Sequence, residues 1–596
     1  MPAGAARAVV ISALAAALAA SVVARRAPPP SADVARGSEE PFAEGLQPRE
    51  FDAAGLPHRW TGRRLHLRFR NLPPVAATLQ LTIRGQRNPV AVAADGAVVG
   101  TLSTEQTQVE LPLPPPRDGR LELILSTEPF AAEDGRQLGL MLERAAILPS
   151  GPGGTSWPLM TGFVLAALAV TTAALVGGLP AAGAAAVGAA TSILMGLALW
   201  PSGLVHSAYA DRLPVLLVLG AIVAGAFARW QERRTPGAGG WAFAATLAAF
   251  YVQVVGGTHP LMVVGDAQFH VHKLYDVYRG DFFPTSVTQH GRPFHFPYGV
   301  SFYALLAPLV RWRVEGTTIV RFGAAVSGFV ASAALFAMLA RRSPARAGTA
   351  VLILQALPIT FDVYSYGNLS NVFGQALMVL FFGWWEREPA GRGWPVGALL
   401  LALGCLAHFS SLIVLVALVM ALLFAARHEL RSDRRWLAAA VGLALAAAYY
   451  LQFWDLVMGQ LPRLLEGGGQ GRGASRGAWD AARLQVLGAI EQWGLPAMVL
   501  AWIGRPRPRE GRLDRDLAAF WALGPIFAVL AVVTPVEVRY LYALTLPLSI
   551  AAADGLLSLA ARAAAARLLA AVLVAVQLVW ACWRALDALL WRYRAW

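Results

Sequence analysis

The chain has 596 residues, of which 56% are hydrophobic and only 14% are charged, whereas soluble domains carry about 25% charged residues. This composition excludes an ordinary soluble enzyme and predicts a polytopic α-helical membrane protein that contacts the lipid bilayer. The formal net charge of +14 does not indicate a nucleic-acid partner, because the arginines form short clusters between apolar runs instead of one basic face.

The N-terminal segment has the features of an export signal. Residues 1–26 combine Arg7, an Ala/Leu/Val run and the pair Arg25-Arg26, which is typical of a signal peptide or of an uncleaved signal anchor. Either form of the signal exports the segment that follows. Residues 27–49 are rich in proline, alanine and acidic residues, and we predict that they form a linker.

Residues 50–150 change to a period of two. The stretches 64–70, 78–84 and 120–125 alternate apolar with polar residues, and glycine, proline and aspartate separate them. Short alternating strands with regular turns are typical of a β-sandwich of about 100 residues. We therefore expect an extracytoplasmic β-sandwich over this range.

About fourteen apolar segments follow the predicted sandwich. Those within residues 157–235 are predicted to be accessory transmembrane helices, and those within 240–596 form the main transmembrane domain. Several are close to the minimum length for a membrane-spanning helix, about 17 residues. The segments cover residues 157–178, 181–200, 213–229, 241–256, 317–340, 348–361, 372–385, 394–409, 411–426, 436–456, 486–503, 517–534, 540–558 and 568–583.

The charge of the loops predicts the orientation. If the sandwich is outside, the inner loops carry 19 arginines in 53 residues, and the outer loops and C-terminal tail carry 14 lysines and arginines in 129. Basic residues concentrate on the cytoplasmic side, so the sandwich and loop 257–316 are expected outside. The short apolar stretch 300–310 is interpreted as an interfacial or re-entrant helix, because counting it as a span would invert this order.

The longest outer loop is the segment richest in reactive side chains and holds five of the ten histidines. At about 100° per helical residue, Asp266, His270 and Lys273 share one face, and His272 and Asp276 form a second pair beside it. A carboxylate and an imidazole on one face can bind a divalent cation, or act as a base with its orienting partner. The alternative is an interfacial helix that simply carries polar residues.

Asp266 is the strongest candidate for a functional residue in this loop. It directly follows the apolar stretch 261–265 at the outer end of a predicted span. An unpaired carboxylate at that depth is costly, and ionisable residues in such positions usually serve a function.

Four short motifs surround this position: Gly265-Asp266 with a histidine four residues on, Gly-Asp-Phe-Phe-Pro at 280–284, Phe-Pro-Tyr-Gly at 296–299 and Val-Arg-Phe-Gly at 320–323. This arrangement resembles the first outer loop of GT-C fold glycosyltransferases. Relatives include protein mannosyltransferases, aminoarabinose transferases and the oligosaccharyltransferase, polytopic enzymes that take sugars from polyprenyl-phosphate carriers. The resemblance covers about residues 240–560 and implies a GT-C-like catalytic domain.

In GT-C enzymes the loop aspartate is the catalytic acidic residue, which corresponds here to Asp266. Many relatives have a second acidic residue directly after it, where this chain has Ala267. A further acidic residue of the family's next outer loop is replaced by asparagines, with only Asp362 nearby. A divalent metal, Mg²⁺ or Mn²⁺ held by His270 and His272, is therefore an alternative to metal-free chemistry.

Further outer-side residues fit a lipid-phosphate site. Arg539 and Tyr540 begin the thirteenth apolar segment, where GT-C enzymes often have a cation for phosphate; snorkelling to lipid headgroups is the alternative. His408 ends a predicted span, where it contacts substrate or is a satisfied helix-end histidine. Together with His270 and Lys273, these residues form the predicted substrate-binding set.

These features predict an inverting glycosyltransferase in the bacterial cytoplasmic (inner) membrane. It would transfer a sugar from a polyprenyl-phosphate carrier to an envelope glycan, lipid or protein acceptor, with Asp266 as the base or acceptor-orienting carboxylate. The motifs at 58–62 and 134–139 resemble exported β-sandwiches attached to bacterial glycosyltransferases, which implies a carbohydrate-binding module or a structural cap. The alternatives are a transporter or flippase for a lipid-linked glycan, although the sequence shows no internal repeat, and a non-catalytic envelope-assembly scaffold.

The predicted orientation can be tested by cysteine labelling in intact cells. We expect that cysteines introduced at Ser103 and Thr288 both react with a membrane-impermeant maleimide, because both segments are predicted outside. Labelling after cell lysis is the control for reactivity. If only one of the two sites reacts in intact cells, the orientation is wrong.

Overall fold

The computed structural model of the protein describes most of the chain. The chain divides into two compact units, Met1–Ala226 and Phe227–Trp596. In its described part, the first unit combines strands with apolar helices, and the second consists of helices with one short β-hairpin. The described residues are 3–34, 42–52, 57–133, 135–151, 154–200, 203–262, 264–287, 295–387, 393–428, 434–459, 478–507, 511–527 and 541–591.

Nine strands of the first unit form one antiparallel sheet. Seven of them lie side by side in the order β6-β5-β8-β3-β11-β4-β7, and in addition β1 pairs with β11 and β2 pairs with β3. Strands β9 and β10 form a separate ribbon. The strands are β1 Ser31–Asp33, β2 Ala43–Phe51, β3 Pro57–Phe69, β4 Ala77–Arg84, β5 Val90–Ala94, β6 Ala97–Leu102, β7 Gln108–Leu113, β8 Leu121–Ser126, β9 Phe130–Ala131, β10 Gln137–Leu138 and β11 Met141–Pro149.

The period-two pattern of the sequence matches the burial of these strands. Leu79, Leu81 and Ile83 of β4 are buried and alternate with more exposed residues, and β8 repeats this pattern. Alternation of this kind buries one face of a strand and leaves the other to water. Since hydrogen bonds link all nine strands into one sheet, the two-layer sandwich remains a prediction.

Helix α1 (Ala3–Arg26) packs against α2 (Trp157–Val176) and α3 (Ala181–Leu199). The fully buried Ser12 accepts a hydrogen bond of 2.7 Å from the Thr171 hydroxyl. Gly188 of α3 lies so close that a Cβ atom there would stand 2.5 Å from Ser12 Oγ. Small residues with a shared polar contact are typical of packed membrane helices.

A short helix, α4 (Gly203–Tyr209), joins the sheet to α5 (Arg212–Arg234). The backbone nitrogen of Arg70 donates to Ser207 Oγ, and that hydroxyl donates to the Arg70 carbonyl, both at 2.7 Å. The buried His206 ring lies with Nε2 3.2 Å from the Asn71 carbonyl. These contacts attach α4 to the end of β3.

The second unit continues with α6 (Gly239–Ala249), which ends in a π-helical segment, Phe250–Gly256. A 3-10 segment, Ala307–Trp312, follows α8, and a hairpin pairs Thr285–Val287 with His295–Pro297. The other helices are α7 Ala267–Tyr278, α8 Ser301–Leu306, α9 Gly316–Leu339, α10 Pro344–Gln355, α11 Ile359–Ser365, α12 Leu369–Arg387, α13 Trp394–Cys405, α14 Phe409–Ala425, α15 Arg435–Leu451, α16 Ala478–Trp493, α17 Leu495–Ile503, α18 Arg512–Trp521, α19 Thr545–Ala560 and α20 Ala564–Leu586.

The helices are those of a membrane-embedded protein. Within the described residues, eight helices are long and apolar enough to cross a membrane, or nine if one bent pair is a single span. Four predicted spans are the shorter apolar helices α13, α14, α15 and α19, of 10–17 residues, whereas a straight crossing needs about 20. Length and composition therefore support fewer crossings than the fourteen predicted.

The predicted span 486–503 is not one straight helix, because α16 and α17 meet at an angle of 92°. Gly494 between them has a φ of +84°, a conformation that favours glycine. Gln577 of α20 covers the bend: its Nε2 donates to the Trp493 carbonyl at 2.9 Å, and its Oε1 accepts from Ala497 N at 3.2 Å. One amide thus satisfies backbone groups that the broken helix leaves unpaired.

Two other segments differ in length from an ordinary span. The stretch predicted to be interfacial or re-entrant contains α8 and the 3-10 segment, which together cover Ser301–Trp312 and are too short to cross a bilayer. The predicted span 517–534 overlaps α18, which ends at Trp521 and whose Asp514 pairs with Arg346 at 3.2 Å. The described part of this segment ends at residue 527.

The buried His206 makes the first unit sensitive to acid. Burial lowers the pKa of His206 to about 4, although the hydrogen bond to the Asn71 carbonyl opposes this shift. An unfolded histidine has a pKa of about 6.5, so the unfolded state binds more protons between about pH 6.5 and 4. We expect the protein to lose up to about 3 kcal/mol of stability as the pH falls through this window.

The measurement is thermal unfolding of the purified full-length protein across this pH range, compared with His206→Gln. Glutamine keeps a donor for the Asn71 carbonyl but does not titrate, so the difference in stability between parent and variant should change with pH. The nearby Arg70–Asp211 pair is common to both proteins. A difference that is constant from pH 7 to 4 would contradict the prediction.

Candidate functional site

Asp266 lies directly before α7, and the structure leaves its side chain exposed. Its carboxylate does not cap the helix. Behind it, Gly265 N donates to the Ser365 carbonyl at 3.2 Å. Gly367 has a φ of +70°, and a Cβ atom there would lie 2.5 Å from Asp266 N. Because only glycine fits this position, the loop between α11 and α12 fixes the backbone that carries the carboxylate.

His270, in the first turns of α7, connects this loop to α8. Its ring is buried, with Nδ1 2.7 Å from the Tyr303 hydroxyl and Nε2 2.5 Å from the Gly367 carbonyl. A carbonyl only accepts hydrogen bonds, so Nε2 carries a proton and donates it to Gly367. His270 N also donates to the Asp266 carbonyl at 3.0 Å. His270 therefore holds Asp266 in place.

Aromatic rings and hydroxyl groups continue this arrangement. The Tyr298 ring lies 6.2 Å from the Tyr303 ring and meets the His408 ring edge-on at 5.1 Å. The Tyr298 hydroxyl is 3.4 Å from Ser370 Oγ. We call Tyr298, Tyr303, His408 and Ser370 the polar wall. All four side chains are buried, so this wall is part of the packed interior.

His408 caps the start of α14. Its Nδ1 accepts a hydrogen bond of 3.1 Å from Ser410 N, and its ring is 2% exposed. The Ser410 hydroxyl donates to Asn371 Oδ1 at 2.5 Å. This geometry matches the satisfied helix-end histidine, one of the two interpretations of the sequence, and gives His408 a structural part in the wall.

Lys273 and His272 lie on α7 beside the buried face. Lys273 Nζ pairs with Asp276 Oδ2 at 3.1 Å and lies 5.8 Å from the centre of the Phe269 ring. The helical spacing predicted His272 as the partner of Asp276, but in the structure the Asp276 carboxylate pairs with Lys273. His272 is exposed, and the predicted cation Lys273 is partly buried on the same helix as Asp266.

The described residues do not fit a resident divalent metal in this arrangement. In this part of the chain, no three His, Cys, Asp or Glu side chains are grouped so that they could hold a metal ion. Both ring nitrogens of His270 make hydrogen bonds, so binding a metal together with His272 would require the ring to leave Tyr303 and Gly367.

Sequence reasoning missed a buried ion pair next to the loop. Asp362 of α11 is fully buried, and its Oδ2 lies 3.0 Å from Arg584 Nη2 at the end of α20. Arg584 also pairs with Glu491 at 2.6 Å. The partners are 222 residues apart, so spacing offered no signal. The predicted cation Arg539 and its neighbour Tyr540 lie outside the described residues.

A network of buried amide side chains is bonded to Tyr364 of α11, which precedes the loop between α11 and α12. The Tyr364 hydroxyl donates to Gln253 Oε1 at 2.6 Å, Gln253 Nε2 donates to Gln355 Oε1 at 2.9 Å, and Gln355 Nε2 donates to Ser332 Oγ at 2.9 Å. Gln253 lies in the π-helical segment, a distortion that often marks functional sites. Isolated glutamines inside apolar segments were the available sequence signal for this network.

A comparison of the chain with protein-family models found no match, and a comparison with curated proteins found none either. The arguments for function therefore rest on the geometry of the site and on the sequence motifs.

The contact of Gly367 with Asp266 predicts an unusually sensitive glycine. We expect Gly367→Ala to destabilise the protein by more than the 1–2 kcal/mol that a left-handed backbone alone costs a residue with a side chain. The added Cβ atom would also collide with the Asp266 backbone, and overpacking adds about 1–3 kcal/mol. Thermal unfolding of the purified protein measures the effect.

Gly280→Ala is the matched control. Gly280 also has a positive φ, +103°, but a Cβ atom there would meet no atom within 4 Å. Equal destabilisation by the two substitutions would show that backbone strain alone explains Gly367, and that its packing on Asp266 contributes nothing.

Proposed function

We propose that the protein is an inverting glycosyltransferase of the GT-C kind, which uses a polyprenyl-phosphate-linked sugar at the outer face of the bacterial inner membrane. The observation that carries the proposal is the exposed carboxylate of Asp266, held by Gly367 and His270 beside a bundle of apolar helices. A lipid-linked donor and a polar envelope acceptor can meet at such a boundary between apolar helices and water.

The proposed reaction is one displacement at the anomeric carbon of the donor sugar. Asp266 accepts the proton of an acceptor hydroxyl while the hydroxyl oxygen attacks. A glycosidic C–O bond forms on one face as the C–O bond to the carrier phosphate breaks on the other, so the configuration inverts. The phosphate leaves with the electron pair, and Lys273 and Arg539 are the proposed cations that stabilise its charge.

The fixed backbone of Asp266 supports a role as base. A base acts efficiently only if its carboxylate stands within hydrogen-bond distance of the proton it takes, and loss of orientation costs rate. His270 and Gly367 restrict Asp266 before any substrate binds, while the exposed side chain keeps access to an acceptor. In this proposal His270 is a positioning residue, and no step requires a metal.

The proposal includes the finer architecture that the sequence predicts. About fourteen crossings, a GT-C-like catalytic domain over residues 240–596, and an exported β-sandwich that binds carbohydrate or caps the membrane domain all belong to it. The nine-stranded sheet that follows the apolar helix α1 supports the exported domain. The apolar helices that are short of a full crossing would count as spans if they are tilted or extended by neighbouring turns.

A transporter or flippase for a lipid-linked glycan is the second candidate. The break between α16 and α17 and the buried pair Asp362–Arg584 favour it, because transporters use broken helices and intramembrane charges. Both features have a structural use here, since Gln577 covers the break and the ion pair flanks the loop beneath Asp266. The helix break and the ion pair are therefore weaker evidence for transport than the exposed Asp266 carboxylate is for catalysis.

The decisive experiment replaces Asp266 with asparagine. We expect Asp266→Asn to reduce sugar transfer by about 10² to 10⁴, the usual contribution of a general base, while expression and thermal stability stay close to the parent. Asparagine keeps the size of the side chain but cannot take a proton. The assay must detect a new glycosidic bond by mass, because a transporter could also need Asp266.

Asp281→Asn is the matched control. Asp281 lies in the same loop, and its Oδ1 accepts a hydrogen bond of 3.0 Å from Phe283 N, which an asparagine oxygen can also accept. We expect this variant to retain transfer. If Asp266→Asn retains sugar transfer, Asp266 has no part in the mechanism. If even the parent protein forms no glycosidic bond with any membrane donor pool, the result favours the non-catalytic scaffold.

A further inference from the structure

Two arginines flank an exposed tryptophan at the point where the 3-10 segment turns into α9. Trp312 ends the 3-10 segment, Arg311 and Arg313 lie on either side of it, and α9 begins at Gly316. All three side chains are exposed, and Trp312 is 74% exposed. We call residues 311–313 the arginine corner.

The stretch that leads to the arginine corner is amphipathic. Phe302, Tyr303 and Leu306 are buried, whereas Leu305 is 64% exposed and Pro308 is exposed as well. A short segment that packs one face on the protein and leaves apolar side chains on the other suits the boundary between lipid and water. This pattern supports the interfacial interpretation of the stretch.

Helix α9 continues the exposed apolar surface. Phe322 is 47% exposed, and Val326, about one turn further on, is also exposed. The helix is long and apolar enough to cross a membrane, and exposed apolar side chains on such a helix suit contact with acyl chains. A corner that ends just before a spanning helix lies at the depth of the lipid headgroups.

Close packing at two glycines fixes the position of the corner. A Cβ atom at Gly323 would lie 2.6 Å from Leu306 Cδ1, so α8 packs tightly on α9. A Cβ atom at Gly316 would lie 2.9 Å from Val271 Cγ1 of α7. Gly323 belongs to the Val-Arg-Phe-Gly motif, so one residue of this motif has a packing role and Phe322 adds exposed apolar surface.

The backbone of Arg313 is itself unusual. Its φ is +55°, a conformation that costs free energy in a residue with a side chain. Its N donates a hydrogen bond of 3.0 Å to the Val310 carbonyl, which closes the turn. The chain thus places an arginine at a position where glycine would be less strained.

We propose that the arginine corner binds the headgroup of an anionic phospholipid of the bilayer, with the acyl chains on the exposed face of α9. A guanidinium group donates paired hydrogen bonds to phosphate oxygens, and the amphipathic ring of tryptophan favours the headgroup level. Glu315 is the nearest acidic residue in the sequence, and its Oε2 lies 3.4 Å from the Thr318 hydroxyl. Two arginines and one glutamate leave one net positive charge.

The apolar neighbours of the corner favour a lipid over a free phosphate ion. Leu305, Trp312 and Phe322 are all exposed beside the two arginines, and a soluble anion would leave these side chains uncovered. An anionic lipid pairs with the charge and covers the apolar surface together. The inference goes beyond the proposed glycosyl transfer and does not depend on it.

The test uses the purified full-length protein in an uncharged detergent. Phosphatidylglycerol and phosphatidylcholine with the same acyl chains are titrated separately, and affinity is measured from the rise in unfolding temperature and from lipid adducts in native mass spectra. We expect phosphatidylglycerol to bind more tightly. Arg311→Gln and Arg313→Gln should each weaken its binding about fivefold, the effect of one basic side chain near an anionic surface, and the double variant about 25-fold.

Arg279→Gln is the matched control. Arg279 directly follows α7 and is also exposed, so the variant removes the same charge from the same unit. We expect it to leave phosphatidylglycerol affinity unchanged. An equal loss in Arg279→Gln, unchanged affinity in the corner variants, or equal binding of the two lipids by the parent would overturn the proposal, because general attraction would then explain the binding.

Two competitors distinguish the source of the phosphate group. We expect inorganic phosphate not to displace phosphatidylglycerol, and a polyprenyl monophosphate to compete no better than phosphatidylglycerol itself. Displacement by inorganic phosphate would show a site for free anions. Stronger competition by the polyprenyl phosphate would assign the corner to a carrier lipid. Either result would overturn the proposal.

A further measurement needs no variant. A phosphatidylglycerol with a diazirine near its headgroup is photolysed with the parent protein, and labelled peptides are identified by mass. We expect label within residues 305–326, and label confined to other segments would overturn the proposal. None of these measurements requires sugar transfer, so failure of the proposed function and failure of this inference are distinguishable.

Discussion

The hydrogen bond between His270 Nε2 and the Gly367 carbonyl is the contact on which the candidate site depends. It joins α7, which Asp266 directly precedes, to the turn between α11 and α12, and the other ring nitrogen lies 2.7 Å from the hydroxyl of Tyr303 in α8. Buried polar groups in an apolar bundle are costly unless they are paired. Three separate helical elements are therefore held in one geometry by a single ring.

The turn that receives His270 is itself fixed from both sides. Before it, Asp362 is paired with Arg584 at the end of α20, and Tyr364 is bonded to Gln253 of the π-helical segment. Breaking a buried ion pair by removing one partner leaves an uncompensated charge, which costs about 3–5 kcal/mol. The position of Gly367 is thus set by residues outside the proposed site, including Arg584 near the C-terminal end of the described chain.

The sequence predicted local features well and distant contacts poorly. Apolar runs located most helices, and alternation located strands between residues 57 and 149, whereas β1 and most of β2 lie in the predicted linker 27–49. Asp266, singled out because it follows an apolar stretch, is exposed. The predicted span 486–503 is bent at Gly494, because one glycine of positive φ breaks the helix, and the sequence pattern did not show this bend. Gln375 and Arg584 were not predicted from the sequence, because their contacts are with residues of other helices that lie far away in the chain.

The contrast between Asp266 and Asp362 bears on how many carboxylates the proposed glycosyl transfer can use. Asp362 is the acidic residue nearest to the position where the resemblance to GT-C enzymes implies a second carboxylate, yet it is fully buried and paired with Arg584, so it could not reach a substrate without breaking that pair. Asp266 is exposed. A displacement with a phosphate leaving group requires one base and charge stabilisation of the phosphate, since phosphate leaves without protonation by a second acid. Within the described residues, the burial of Asp362 is therefore compatible with a one-carboxylate reaction and argues against a paired-carboxylate one.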